Sequence, residues 1–518
     1  MTYSTQLYLL LATLPYGKSC QGDHGMVAPA SLQDCLQPTL QKILDLADQF
    51  RTAPVCPEST SRFEQQVQVH LREAGRLVVQ HTFNALEPQD VAALPQHVHF
   101  EGTTYTRLNR KTQQQVWTLF GQICLRRVGY RSTNKDGQGC LFPLAQTLGL
   151  LHGATPALAS HAGRLFCGAG MTQSLTRERL RADNDVGWGV KKLRQFLAAL
   201  AQRLTPLRHE CQVERLLQWL AQAQATQGKH APVLSVGRDG ICLGIRGKKK
   251  CVFEVATTAT VSVYERNGKR LGTVYLAYVP QAEQTRMSQE LTRLVRGVLK
   301  GCKGELPRLC YVTDAGKSET AYYKRVLAVM RHPLTRLRLK WVRVVDYYHA
   351  SQRLWTMAER LLRTEQARTS WAKKMLRWLL LPGGVNRVLH SAAALAWRLG
   401  LRGKKKAEFE KAYRYLSKRM KYLRYAEYKS QGIPLGSGVT EAACKTVYTQ
   451  RLKLSGMRWN GAAVARKDAA GAQTVLDLRV LLLSGIWDRV FLLSLQTSKV
   501  ANILTNKASS PDTPELAA

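Results

Sequence analysis

Val233-Leu234-Ser235-Val236-Gly237-Arg238-Asp239-Gly240 is the stretch on which the reading of this chain turns. Four apolar or small residues in a row, closed by Arg238-Asp239-Gly240, predict a buried strand that ends on an acid. Downstream, Cys251–Tyr264 and Gly272–Val279 flank Asn267-Gly268, a strong hairpin signal. Gln281–Lys300 reads as a helix with Leu291, Leu294, Val295 and Val298 on one face. Leu309–Thr313 is a second buried strand, closed by Asp314-Ala315-Gly316. A helix is expected over Glu319–Met330, and a further strand, Trp341–Val345, ends at Asp346. The order strand, hairpin strands, helix, strand, helix, strand predicts a mixed sheet with covering helices.

That order is the plan of a ribonuclease-H-like domain, and the expected fold class is α/β multidomain. The mixed sheet carries a helical insertion and is preceded by a small strand plus helical DNA-binding region. With 518 residues and roughly 150 per domain, several units are expected. Residues 1–60, broken by Pro15, Pro29, Pro38, Pro54 and Pro57, read as a poorly ordered leader, and 61–94 as an amphipathic helix. Over 95–230, His97–Phe100 and Gln115–Leu125 read as strands. Leu144–Leu151, Pro156–Phe166 and Val190–Leu204 follow as helices with helix-turn-helix-like spacing. Residues 231–350 are expected to form the first part of the ribonuclease-H-like domain, 351–435 a basic helical insertion, 436–495 the remainder of that domain, and 496–518 a flexible tail.

Charge narrows the partner. Lys+Arg number 76 against 36 Asp+Glu, a net of +40. The first hundred residues hold 6 basic and 9 acidic side chains, so the other 418 carry +43. Such a field attracts a polyanion, most commonly nucleic acid. A chain of 518 residues with twelve cysteines is too large and too sparsely bridged for a secreted disulfide scaffold. With no C-x-x-C pair, neither a zinc ribbon nor a thioredoxin-type motif is expected, so the thiols are predicted to be reduced. No run of ~18 apolar residues is present to span a membrane. Leu7–Leu14 lacks the basic segment of a secretion signal, so a cytoplasmic, nucleoid-associated protein is expected.

Asp239, Asp314 and Glu441 are the residues able to carry chemistry. Phosphodiester cleavage by two metal ions needs hard oxygen ligands, and three carboxylates supply them without any protein nucleophile. Singly, an Asp before Gly is a turn former and a Glu near a helix start answers the helix dipole. Two such acids at strand ends, then a Glu beyond a helical insertion in a +43 segment, point to a metal site.

Around these acids the sequence resembles the DDE transposases of bacterial insertion sequences, in the Kra-type group related to mutator-like elements. The matching stretches are Ser235–Gly240, Val312–Gly316, Val345–Ala350, Gly436–Lys445 and Arg451–Trp459, within a resemblance covering roughly residues 95–495. The resemblance implies Asp239, Asp314 and Glu441 as ligands of two Mg²⁺ or Mn²⁺ ions. It matches Asp346 and His349 to a D-x-x-H signature, with His349 near the scissile phosphate and Asp346 supporting it or standing as runner-up for the second acid. Relatives often carry a cysteine pair near Cys140, which here stands alone, so no zinc site is expected there.

DNA contacts are expected from Lys445, Arg451, Lys453, Arg458 and Trp459 behind Glu441, and from Lys404, Lys405 and Lys406. The last three lie in Arg402–Lys429, which holds 11 basic and 3 acidic residues, with tyrosines available to stack on bases. Lys248-Lys249-Lys250 reads as a solvated turn. The expected activity is strand cleavage and transfer on double-stranded DNA by a homo-oligomer. The alternatives are a nuclease or resolvase of the same fold, or a domesticated DNA-binding protein.

Overall fold

Residues 309–312 display the pleat that organises the larger part of the molecule. Leu309 and Tyr311 are buried in one core, while Cys310 and Val312 are buried in another on the opposite side. A strand covered on both faces must be apolar throughout, which is why the run is continuous rather than alternating. The computed structural model describes residues 31–133, 139–246, 251–281, 284–460 and 471–497. The Leu7–Leu14 stretch, the Lys248-Lys249-Lys250 run and the tail beyond 497 lie outside them. Two compact units are formed, Met1–Thr82 and Phe83–Ala518.

In the first unit, helix α1 (Leu32–Thr52) opens on a capping box, with Asp34 N donating to Ser31 Oγ and Ser31 N to the Asp34 carboxylate. Helix α2 (Pro57–Ala85) begins on a proline, and Phe50 stacks on Phe63 at 4.5 Å. The expected leader over 1–60 is thus corrected from Leu32 onward. Pro38 lies inside α1 and removes one hydrogen bond without ending the helix.

The second unit begins with a three-stranded antiparallel sheet, β1 (His97–Phe100), β2 (Thr103–Thr118) and β3 (Gly121–Ser132). Helices α3 (Pro143–Thr147), α4 (Pro156–Cys167), α5 (Gln173–Asn184) and α6 (Val190–Ala225) follow. α6 passes straight through Pro206, well beyond the expected end at Leu204.

The main sheet comprises β4 (Val233–Arg246), β5 (Cys251–Tyr264), β6 (Arg270–Tyr278), β7 (Arg308–Thr313) and β8 (Trp341–Val345), in the order β6-β5-β4-β7-β8. β4, β5 and β6 are an antiparallel meander, whereas β7 and β8 run parallel to β4. Helix α7 (Thr285–Gly301) covers one face with Leu291, Leu294, Val295 and Val298. After β7 comes α8 (Lys317–Tyr322), which passes into a π turn at Tyr323–Leu327 instead of continuing to Met330. The opposite face carries α9 (Tyr347–Leu361), α10 (Glu365–Leu379), α11 (Gly384–Arg398), α12 (Gly403–Ser417) and α13 (Tyr425–Ser430).

Helix α14 (Gly438–Ala443) returns the chain to the sheet, and β9 (Trp459–Asn460) pairs with the far end of β4. Helices α15 (Ala472–Leu483) and α16 (Trp487–Gln496) close the fold. Their Leu476 and Trp487 share one core with Leu158 and Phe166 of α4, Phe196 of α6 and Leu243 of β4. The helices expected as a recognition region therefore pack into the same core as the main sheet. The architecture is mixed α/β, and among the described residues no helix is long and apolar enough to cross a membrane.

Candidate active site

β4 outlasts its parallel neighbour. Pairing with β7 ends at Gly237–Val312, yet β4 continues to Arg246. Asp239 thus lies within the strand, opposite Thr258 of β5, rather than at the strand end the sequence suggested. Its other flank is open beyond β7, and α14 fills the space over it. Gly237 is the reason α14 fits, because a Cβ there would collide with the side chain of Thr440. Thr440 Oγ1 in turn is hydrogen bonded to Thr260 Oγ1 at 2.7 Å. Docking by this small-residue contact brings Glu441 and Cys444 to Asp239. The Cys444 thiol donates to Asp239 Oδ2 (3.4 Å), and Gly240 N donates to Oδ1 (2.7 Å).

Asp314 follows the last residue of β7, in a turn whose Gly316 N donates to Asp314 Oδ1 (3.0 Å). Asp346 caps α9 by accepting from His349 N (2.9 Å), and its other oxygen accepts from Ser437 N. This carboxylate is only 1 % exposed, so it fixes the Gly436-Ser437 turn that leads into α14. Ser437 Oγ donates to Glu441 Oε1 (3.1 Å). His349 Nδ1 is buried without a hydrogen-bond partner and lies 3.5 Å from both Asp346 Oδ1 and Glu441 Oε1, within ion-pair range. Asp346, His349 and Glu441 present ligand atoms within 4.8 Å of one another, a spacing able to hold a metal ion.

The electrostatics describe a crowded acidic site. Burial pushes the Asp239 carboxyl up, and the charges of Asp314 and Glu441 push in the same direction. Asp346 goes the other way: burial opposes its charge, but the hydrogen bonds from His349 and Ser437 prevail and hold it at about 2. His349 is raised by its contact with Asp346, with Glu441 and Asp314 adding to the effect. Glu319, on α8, was not expected here. Burial raises it, and it also feels Asp314 and Asp239. Its only signal in the sequence is Gly316, where a Cβ would strike the Glu319 carboxylate.

The expected DNA-contacting residues separate into two groups. Lys445, Lys453 and Arg458 are exposed, as are Lys404, Lys405 and Lys406 in the first turn of α12. Arg451 is corrected: it is 1 % exposed, donates through Nε to Phe166 O (3.0 Å) and lies over the Phe166 ring, so it ties α4 to the chain behind α14. Trp459 is half-buried, donates to Leu452 O (2.8 Å) and pairs with Ile245. Three of the five tyrosines in Arg402–Lys429, the residues expected to stack on bases, are spent inside the fold, while Tyr413 and Tyr422 are half-buried. Tyr425 and Tyr428 are buried and donate to Val345 O and Arg343 O, and Tyr415 donates to Asp314 O. Comparison with protein-family models gave no match to this chain, and comparison with curated proteins gave none.

Proposed function

We propose that the chain is a DDE-type transposase that cleaves and transfers DNA strands at a metal site made by Asp239, Asp314 and Glu441 on a ribonuclease-H-like sheet. The observation that carries this reading is the topology that sets Asp239 on β4, Asp314 directly after the parallel neighbour β7, and Glu441 on α14, which docks on β4 through Gly237 and Thr440. Of the three, Glu441 alone belongs to the close-set group of ligand atoms, with Asp346 and His349. The strand order β6-β5-β4-β7-β8, with an antiparallel meander joined to two parallel strands, supports the fold half of the proposal.

The donor set fits a hard divalent cation. Carboxylate oxygens make up the proposed set, and beside it the oxygens of Asp346 and Glu441 come within 4.8 Å of the buried Nδ1 of His349, which has no hydrogen bond of its own. Asp239, Asp314 and Glu441 would hold Mg²⁺ or Mn²⁺, which would supply Lewis-acid stabilisation of a phosphate and a lowered pKa for a bound hydroxyl. The remaining work falls to the protein. Cys444 fixes the rotamer of Asp239, and Ser437 that of Glu441. Asp346 orients His349 toward Glu441 and pins the turn before α14. The exposed lysines of α12 and the exposed Lys445, Lys453 and Arg458 offer phosphate contacts.

Strand transfer tests the proposal. Pre-cut duplex ends taken from the flanks of the reading frame, incubated with a target plasmid and Mg²⁺, should be joined to it. Cleavage without joining would instead favour a nuclease.

A further inference from the structure

The turn that carries Asp314 is gripped from outside the sheet, by the helical insertion. Tyr415, on α12, donates its hydroxyl to Asp314 O at 2.7 Å. Arg419, two residues past the end of α12, donates through Nη2 to Ala315 O at 3.1 Å. The two side chains also brace each other. The Arg419 guanidinium stacks 4.0 Å over the Tyr415 ring and donates through Nη1 to Tyr415 O (3.2 Å), and Arg353 of α9 lies 4.9 Å from that ring.

The turn has a reason to need holding. Ala315 has φ +62°, the left-handed region that costs a residue with a Cβ and persists only where its surroundings over-determine it. The Asp314 carbonyl is taken by the insertion, and the Ala315 carbonyl is shared between Arg419 of the insertion and Thr320 Oγ1 of α8 (3.3 Å). A relaxed Ala315 would swing the peptide planes on either side of it, and the Asp314 side chain would turn with them.

We infer that Tyr415 and Arg419 are positioning residues for Asp314, so that the helical insertion sets the geometry of the metal site through the backbone of the 314–316 turn. The inference rests on the proposed metal-holding role of Asp314. It makes α12 a structural arm of the site as well as a basic surface, since Lys404, Lys405 and Lys406 stand exposed at the other end of the same helix. DNA held by those lysines would then bear on a helix that is hydrogen bonded to the turn carrying the second acid.

The test uses the full chain and Mn²⁺ as the probe, without DNA. Manganese binding is measured by electron paramagnetic resonance for the wild type, Tyr415→Phe, Arg419→Gln and, as a control on the same helix, Tyr413→Phe. Tyr415→Phe removes one oxygen and leaves the ring against Arg419, so thermal stability should barely change. Mn²⁺ affinity is expected to fall about three- to tenfold in Tyr415→Phe and Arg419→Gln, the range for removal of one hydrogen bond, and to stay unchanged in Tyr413→Phe. Cleavage by Tyr415→Phe should be slow at low Mg²⁺ and recover at high Mg²⁺, with DNA affinity intact. Wild-type Mn²⁺ affinity in both variants would overturn the inference while leaving the metal-site reading in place. A wild-type protein that binds no Mn²⁺ would overturn both.

Discussion

Replacing Asp346 by Asn keeps the shape of a buried, capping side chain and removes its charge. The carboxylate is 1 % exposed and accepts from two backbone N–H groups, those of His349 and Ser437. An amide presents one oxygen and one NH₂, so one of those donors must face another donor. The magnitude follows from the titration. Asp346 is held at about 2 against an ordinary 3.8, and at about 1.4 kcal/mol per unit this is about 2 kcal/mol of stabilisation by the charge. Because the folded value is depressed, the contribution is complete above the unfolded value and is lost as pH falls toward about 2. His349 runs in the opposite sense. Its raised value stabilises below the unfolded 6.5 and fades as pH rises through the folded value, so the pair is strongest between about 4 and 6.5. Urea denaturation of wild type and Asp346→Asn at pH 6 and pH 3 is the assay. The expected loss is about 2 kcal/mol at pH 6, and it should shrink at pH 3. A loss of less than about 0.5 kcal/mol at pH 6, or one independent of pH, would refute the argument that charge-assisted hydrogen bonds hold this carboxylate.

Gly237→Ala should lower stability by about 1–3 kcal/mol through overpacking against Thr440. It should reduce cleavage far more than DNA binding, because Glu441 and Cys444 move with Thr440; wild-type cleavage would show that α14 docks without this contact. DNA affinity should fall steeply with salt, and replacing Lys404, Lys405 and Lys406 together by Ala should flatten the log–log slope by about 0.9 for each phosphate no longer neutralised, as read by fluorescence anisotropy. Cleavage should require Mg²⁺ or Mn²⁺ and fail with Ca²⁺, whose looser coordination is a poorer template for in-line displacement, and a gel assay with chelator checks it.

What the sequence made legible was set by burial. The runs Val233–Val236, Leu309–Thr313 and Trp341–Val345 are mostly apolar because both faces of their strands are covered, with buried polar exceptions such as Ser235 and Arg343, and each forms part or all of a strand. The stripe of Leu291, Leu294, Val295 and Val298 likewise marks the buried face of α7. The hairpin β2–β3 is far longer than its apolar patches because Arg107 and, beyond an irregularity, Lys111–Gln115 pair through the backbone, a ladder to which polar side chains give no signal. Pro38 and Pro206 punctuate the sequence but not the helices, since packing outweighs one missing hydrogen bond. At the site, the residue types were legible and their meeting was not. It depends on Gly237 admitting Thr440, a contact between positions about two hundred residues apart. Arg451 has the composition of a surface cation, and only the Phe166 carbonyl and ring reveal it as a core residue. Glu319 was missed because it approaches Asp314 over a glycine that reads, in one dimension, as a turn.

The central claim is that Asp239, Asp314 and Glu441 together hold the metal ions for strand transfer. The most direct measurement is joining of a 3′-hydroxyl duplex end to a plasmid in Mn²⁺ by wild type, Asp239→Asn, Asp314→Asn and Glu441→Gln, with DNA affinity measured in parallel. Joining by the wild type alone, with all four proteins binding the duplex equally, is the predicted result. Near wild-type joining by any one of the three variants would contradict the account and, for Asp314→Asn, would pass the role of second acid to Asp346.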